Sequence, residues 1–265
     1  LVWAAFNNGV AVCYDMDGNQ KWVTIIEKCP NGWGPSASPL LIGNLLIVNF
    51  NNLVALDADT GKEKWRAKTG FSWGTSGYIN IGGTDILITP KSHFIRVSDG
   101  KILGGGRICN LTYNGPTILD GKAYFIQNGG KAVEIPKQAG DKMNPKVLWT
   151  TSPKKDRYYA SPLVHNGLVY AITQKNVFSV INADDGKIVY SKTLDLGKGA
   201  AYPSITLGGK YVYVSQENGT TIVLEHGKEY KEAAKNKLEA FRSSPVFIGT
   251  KMYLRTRNYL YCIGK

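Results

Sequence analysis

Along the chain, apolar and polar residues alternate in short runs separated by stretches rich in Gly, Asn and Asp. Alternation with a period of two places apolar side chains on one face of a strand, so the pattern predicts short, half-buried antiparallel strands joined by tight turns. The runs are copies of one another. "VAVCYDMDGNQKW" (residues 10–22) matches "VALDADTGKEKWR" (residues 54–66), with Asp15, Gly18 and Trp22 standing where Asp57, Gly61 and Trp65 stand. "FIRVSDGKILGG" keeps Asp99 and Gly100, and "VFSVINADDGKIVY" keeps Asp185 and Gly186 with Tyr190 in the Trp slot. "TTIVLEHGKEY" keeps Gly227, while "KAVEIPKQAGDKMNPKVLW" inserts several residues before Trp149. Asp57, Asp99 and Asp185 read as equivalent turn positions.

A second element precedes each turn: the start of an inner strand, a Gly-containing hairpin and an aromatic strand. It reads "SASPLLIGNLLIV", "YNGPTILDGKAYFI", "YYASPLVHNGLVYAI", "AAYPSITLGGKYVYV" and "RSSPVFIGTKMYLR", with "TSGYINIGGTDILI" as a divergent copy. Four short strands over about 40 residues describe one blade of a β-propeller. Copies begin near Leu1, Ser36, Thr75, Tyr113, Tyr158, Ala200 and Phe241. The expected fold is therefore all-β, a seven-bladed β-propeller of four-stranded antiparallel blades, with residues 1–265 as one domain. The first copy lacks its innermost strand and the last its outer one. The domain thus reads as N-terminally incomplete, an upstream segment supplying both strands; eight blades is the alternative if more chain precedes.

The motif has a physical reading. Asp57 and Thr60 can hydrogen-bond backbone groups of the turn, and Gly61 can take positive φ, so the chain reverses without steric cost. The Trp is then delivered to the blade face, where one large ring fills the gap between twisted sheets. Trp22, Trp65 and Trp149 are the expected blade-docking residues, with Tyr190 a smaller substitute. Gly104 takes the slot in the third copy, and Lys231 falls near it in the sixth.

The recurring Asp-x-x-Thr-Gly-x-x-x-Trp resembles the quinoprotein (PQQ-like, tryptophan-docking) propeller repeat, whose family includes quinoprotein alcohol dehydrogenases and BamB-type assembly factors. The resemblance spans essentially the whole chain; the Gly-His and Trp-Asp signatures of WD40 repeats do not recur. A BamB-like likeness implies a non-catalytic protein-binding or scaffolding module of the bacterial cell envelope, periplasmic or outer-envelope-associated. Its partners would be other envelope proteins or peptides, and it would carry no cofactor. The alternative is a quinone-dependent oxidoreductase or a ligand-binding sensor domain. The likeness to dehydrogenases would then imply PQQ stacked between a Trp and a vicinal disulfide, beside a calcium held by Glu, Asn and Asp. Cys13, Cys29, Cys109 and Cys262 include no adjacent pair, and no calcium-ligand cluster or catalytic Asp aligns.

Composition narrows the picture further. The 265 residues, 43% hydrophobic, suffice for a large core, and no apolar run reaches the roughly 18 residues of a membrane-spanning helix. The net charge of +12 is scattered through turns, with local clusters at Lys154, Lys155 and Arg157 and at Lys228, Lys231, Lys235 and Lys237. It reads as solvated surface, with weak contact to anionic surfaces as an option and no specific nucleic-acid site. The cysteines lack zinc spacing; Cys13 and Cys262, inside strands, are expected to be buried thiols. His93, His165 and His226 fall in or beside turns of three different blades, as ordinary surface residues. No catalytic or metal-binding residue is assigned.

One set of positions remains for function. The loops leading into the inner strands read "NGWGPSAS", "GFSWGTSG", "NLTYNGP", "RYYASP", "GAAYPS" and "FRSSP". They place Trp33, Trp73, Tyr113, Tyr159, Tyr202 and Arg242 at related positions, with Arg157 nearby. Equivalent loops of a propeller gather on one face around its channel, so these residues form a candidate ligand or partner face. The alternative is that the rings plug the funnel mouth and pack against neighbouring blades.

Overall fold

The structure, a computed structural model, describes residues 1–264, and their regular elements are 26 strands in seven antiparallel sheets. The first sheet joins β1 (Val2–Ala5), β2 (Val10–Tyr14) and β3 (Gln20–Ile25); the second joins β4 (Leu40–Ile42), β5 (Leu45–Asn49), β6 (Leu53–Asp57) and β7 (Glu63–Ala67). The third holds β8 (Gly77–Ile81), β9 (Thr84–Ile88), β10 (His93–Arg96) and β11 (Ile102–Gly105), and the fourth holds β12 (Thr117–Leu119), β13 (Lys122–Gln127), β14 (Gly129–Glu134) and β15 (Lys146–Thr151). The fifth comprises β16 (Leu163–His165), β17 (Leu168–Ile172), β18 (Val177–Asn182) and β19 (Ile188–Thr193). The sixth comprises β20 (Thr206–Gly208), β21 (Tyr211–Ser215), β22 (Thr220–Glu225) and β23 (Glu232–Lys237), and the seventh β24 (Val246–Ile248), β25 (Lys251–Arg255) and β26 (Leu260–Gly264). Every sheet is a meander in chain order. These are the seven blades read from the repeats, and the three-stranded first and last sheets lack the inner and outer strand that their copies lack.

The strands gather into two compact units, Leu1–Gly121 with Glu134–Lys146, and Lys122–Val133 with residues from 147 onward. Within each unit the core lies between successive sheets. In the first, Cys13 and Trp22 pack with Leu46, Val54 and Leu56, while Ile47, Ala55 and Trp65 pack with Leu87 and Ile95. In the second, Tyr170, Phe178 and Val180 pack with Val212, Ile222 and Leu224. Central strands such as β6 are buried on both faces, so they read as continuous apolar runs.

The turn into the outer strand is one construction repeated. Asp57 N–H donates to the Lys62 carbonyl (2.8 Å) and Gly61 N–H to the Asp57 carbonyl (2.8 Å). Thr60 donates its N–H (3.0 Å) and its hydroxyl (2.8 Å) to Asp57 Oδ1, and Gly61 has φ 71°. The same backbone ring is closed by Arg96 with Lys101 and Gly100, and by Asn182 with Lys187 and Gly186. The expected equivalence of the three aspartates is therefore corrected: Arg96 and Asn182 are the counterparts of Asp57. Asp99 and Asp185 stand at the Thr60 position, where their Oδ1 atoms accept the N–H of Lys101 (3.1 Å) and Lys187 (3.0 Å). An Asp side chain can build the turn from either position.

Register defines the docking slot. A bulge falls at the same place in each outer strand pair for which the ladder is resolved, and Trp22 faces Cys13, Trp65 faces Ala55, Gly104 faces Phe94, and Tyr190 faces Val180. In the sixth sheet the facing pair is Val223 and Ala234, so Ala234, not Lys231, occupies the slot. Lys231 is instead the residue whose carbonyl closes a longer turn, accepting the Glu225 N–H (3.0 Å). The three Trp indoles reach the following sheet. Their Nε1–H groups donate to the carbonyls of Ala58 (2.9 Å), Val97 (2.7 Å) and Ala183 (2.9 Å), each in the following sheet's turn. Each ring also lies flush on that turn's glycine: a Cβ at Gly61, Gly100 or Gly186 would come within 2.6, 2.5 or 2.7 Å of the Trp22, Trp65 or Trp149 ring. Glycine is required there for its positive φ and for the indole above it.

Candidate functional site

The lead-in loops are stitched to one another. In the first unit, Ser36 Oγ donates to the Trp73 carbonyl (3.0 Å), Ser38 N–H to Thr75 Oγ1 (2.8 Å), and Trp73 N–H to the Thr112 carbonyl (3.0 Å). In the second, Ser161 N–H donates to Ser204 Oγ (3.2 Å) and Ser204 N–H to Ser244 Oγ (2.9 Å). The small residues of "SAS", "YAS" and "SSP" let neighbouring loops approach this closely. Gly74 shows the limit, because a Cβ there would collide with the Asn114 carbonyl. The loops therefore hold their aromatic rings on a fixed frame.

Each unit carries an aromatic cluster on these lead-in loops. In the first, Trp73 stacks on Tyr113 with centroids 5.4 Å apart and planes 17° apart, and Phe71 meets Trp73 edge-on at 4.8 Å. In the second, Tyr159 stacks on Tyr202 at 4.4 Å and 14°, and the Arg242 guanidinium lies 4.2 Å from the Tyr202 ring centroid. Tyr202 thus contacts a phenol and a guanidinium, a stacking and cation–π ladder. Glu217 fixes the end of this ladder by accepting from Arg242 Nε (2.9 Å) and Nη2 (2.7 Å), while its other oxygen accepts the Ala200 N–H (3.0 Å). Arg157 Nη1 donates to the Tyr159 hydroxyl (3.3 Å). Burial, with Tyr159 alongside, pushes the Tyr202 hydroxyl above its ordinary value. Both arginines are exposed and the stacked rings are half-buried, so the clusters present surface to solvent.

Six of the seven expected face residues are brought together in these clusters, Trp73 and Tyr113 in one, Arg157, Tyr159, Tyr202 and Arg242 in the other. Trp33 joins neither: it is 88% exposed at a loop tip held by its own N–H donating to Asn31 Oδ1 (2.9 Å). Two contributors were not legible. Phe71 lies two residues before Trp73, and Glu217 sits in the β21–β22 turn, a connection outside the lead-in loops.

Other titratable groups depart from expectation. His165 and His226, read as residues of separate turns, meet edge-on with centroids 4.8 Å apart, and burial followed by the His226 charge lowers the His165 pKa. His93 accompanies Thr89, with Nδ1 3.2 Å from the hydroxyl, and burial lowers its pKa. Cys13 is a buried thiol, but Cys262 is exposed because the face of β26 that carries it is uncovered. Among the described residues no group of three His, Cys, Asp or Glu side chains converges as a metal site. The stacking disulfide of quinoprotein dehydrogenases has no counterpart, as no two cysteines are adjacent; the donor set does not fit the quinone. No helix among the described residues is long and apolar enough to cross a membrane.

Seven antiparallel sheets, joined where indoles dock on the next sheet's turn glycine, define a β-propeller of the tryptophan-docking class. A family profile described as "Outer membrane protein assembly factor BamB" matches residues 7–144 and 110–264, and the chain belongs to that family. Among solved structures it is similar to BamB from Moraxella catarrhalis, with a TM-score of 0.73 and 14% identity over 96% of this chain and 76% of that one. It is also similar to the computationally designed protein Ika8, with a TM-score of 0.57 and 8% identity over 95% of this chain and 88% of that one. At these identities the likeness is one of fold. A search of curated protein sequences finds no match.

Proposed function

We propose that this propeller is a non-catalytic binding and scaffolding module of the bacterial cell envelope, periplasmic or associated with the outer membrane. Its partners are other envelope proteins or peptides, and it works without a cofactor. The observation that carries this reading is the Tyr159–Tyr202–Arg242 ladder. Trp, Tyr and Arg are enriched among the few residues that dominate binding energy at protein interfaces, and Tyr offers large contact area at low entropic cost. Here they are pre-stacked, and Glu217 locks the guanidinium, so little ordering remains to be done on binding. Membership of the BamB family and the likeness to a solved BamB agree with a role in assembly at the outer membrane.

The competing reading is a quinone-dependent oxidoreductase. Titrating the purified protein with pyrroloquinoline quinone and calcium, followed by quinone absorbance, separates the two. The scaffold reading expects no saturable spectral change, and a tight stoichiometric complex would overturn it.

A further inference from the structure

Two positions of the repeat that are apolar in other sheets hold histidine, and the two histidines touch. The inner strand ends on Ile42, Ile81, Leu119 and Ile248 in four sheets and on Gly208 in the sixth, but on His165 in the fifth. The residue after the third strand is Ala58, Val97, Ile135 and Ala183 in sheets two to five, but His226 in the sixth. Where both positions keep the repeat they pack together, as Ile42 lies against the core that contains Val97. The same place between the fifth and sixth sheets, both four-stranded, holds the two imidazoles edge-on with centroids 4.8 Å apart. Two metal-ligating side chains thus stand where an apolar pair would serve packing as well.

The spacing suits one shared ion. Metal–nitrogen bonds of about 2.0–2.1 Å put each ring centre about 3.2 Å from the metal, so two imidazoles at about 90–109° around one ion have centres about 4.5–5.2 Å apart. The observed 4.8 Å lies inside this range. The final torsion of a His side chain is broad, so the ring nitrogens can turn to a common point without moving the backbone. Both rings are half-buried, which leaves the outer side of the ion to water. Glu225, next to His226 in the chain, is engaged by Lys231 Nζ (2.8 Å), so the imidazoles are the two protein ligands. Imidazole donors suit copper, nickel and zinc, with copper(II) held most tightly of the divalent series.

We propose that His165 and His226 form a binding site for a divalent transition metal of the copper, nickel and zinc group, with water completing the coordination and the ion clipping the fifth sheet to the sixth. The site is independent of the aromatic loop clusters. The test is titration of the metal-free chain with copper(II), followed by calorimetry and electron paramagnetic resonance, on the wild type, His165→Ile, His226→Ala and, as a control, His93→Asn. The first two variants carry the residues that other sheets use at these positions, so they should fold. Expected for the wild type and the control are one saturable site with two imidazole nitrogens on the ion and a higher melting temperature with copper. Each of the other two variants should bind at least tenfold more weakly and lose the metal-induced rise in melting temperature. His165→Gln, which keeps a hydrogen-bonding side chain, should show the same loss. Wild-type binding no tighter than that of the His165 and His226 variants, a copper spectrum with fewer than two imidazoles, or affinity retained in His165→Gln would overturn the proposal.

Discussion

At the residue scale, Trp65 and Gly100 act as one unit, the ring on one sheet and the bare backbone on the next. Trp65→Ala should destabilise the chain by about 3–5 kcal/mol, as for a large buried ring. Gly100→Ala, at φ 70° and under the ring, should cost about 1–3 kcal/mol. Because both changes break the same contact, the double variant should lose less than the sum, and urea unfolding of all four proteins checks this. A second prediction follows from the histidines. The folded-state pKa values of His93 and His165 lie below the ordinary 6.5, so below that pH the unfolded chain binds more protons than the folded one. Stability is complete above 6.5 and falls as pH drops through the window beneath it. The lowered carboxylates, such as Asp99 with its ordinary value of 3.8, act further down the scale. The urea midpoint should therefore drop between pH 7.5 and 5.5, and by less in a His93→Asn, His165→Asn variant.

At the scale of elements, the strands, the turns and the four docking aromatics were legible because each is written several times, so that one clear copy, "DADTGKEKW", calibrates the degraded ones. Gly104 was placed correctly in the third slot, but what packs against it, and the occupant of the sixth slot, were not legible because both depart from the repeat. The sixth turn is longer, so counting from Gly227 lands on Lys231, whereas the ladder pairs Ala234 with Val223. Register is set by pairing rather than by sequence distance, which a longer turn changes freely. The Gly104 slot is filled by Met143 from an insertion of the next repeat, and no repeat-based rule reaches an exception. Met143→Ala should therefore behave as a core truncation despite its place in a loop, costing about 2–4 kcal/mol in urea unfolding.

At the scale of the whole molecule, the candidate face was legible as a set of residues but not as two clusters. Repetition marks equivalent positions, and it cannot say which rings stack. Tyr159 and Tyr202 stack because successive loops are stitched by serines, and Glu217, the residue that orders Arg242, comes from another connection. The exposed ladder and the BamB-family membership are the observations that support the binding role proposed above. The most direct test is quantitative affinity isolation from bacterial envelope extracts with the wild type, a Tyr159→Ala, Tyr202→Ala, Arg242→Ala variant, and Thr60→Ala as a turn control. The account predicts that a stoichiometric envelope protein co-purifies with the wild type and the control, and that the triple variant, folded and of similar melting temperature, recovers it at least tenfold less well. Equal recovery by the triple variant, or no partner with any of the three, would contradict it.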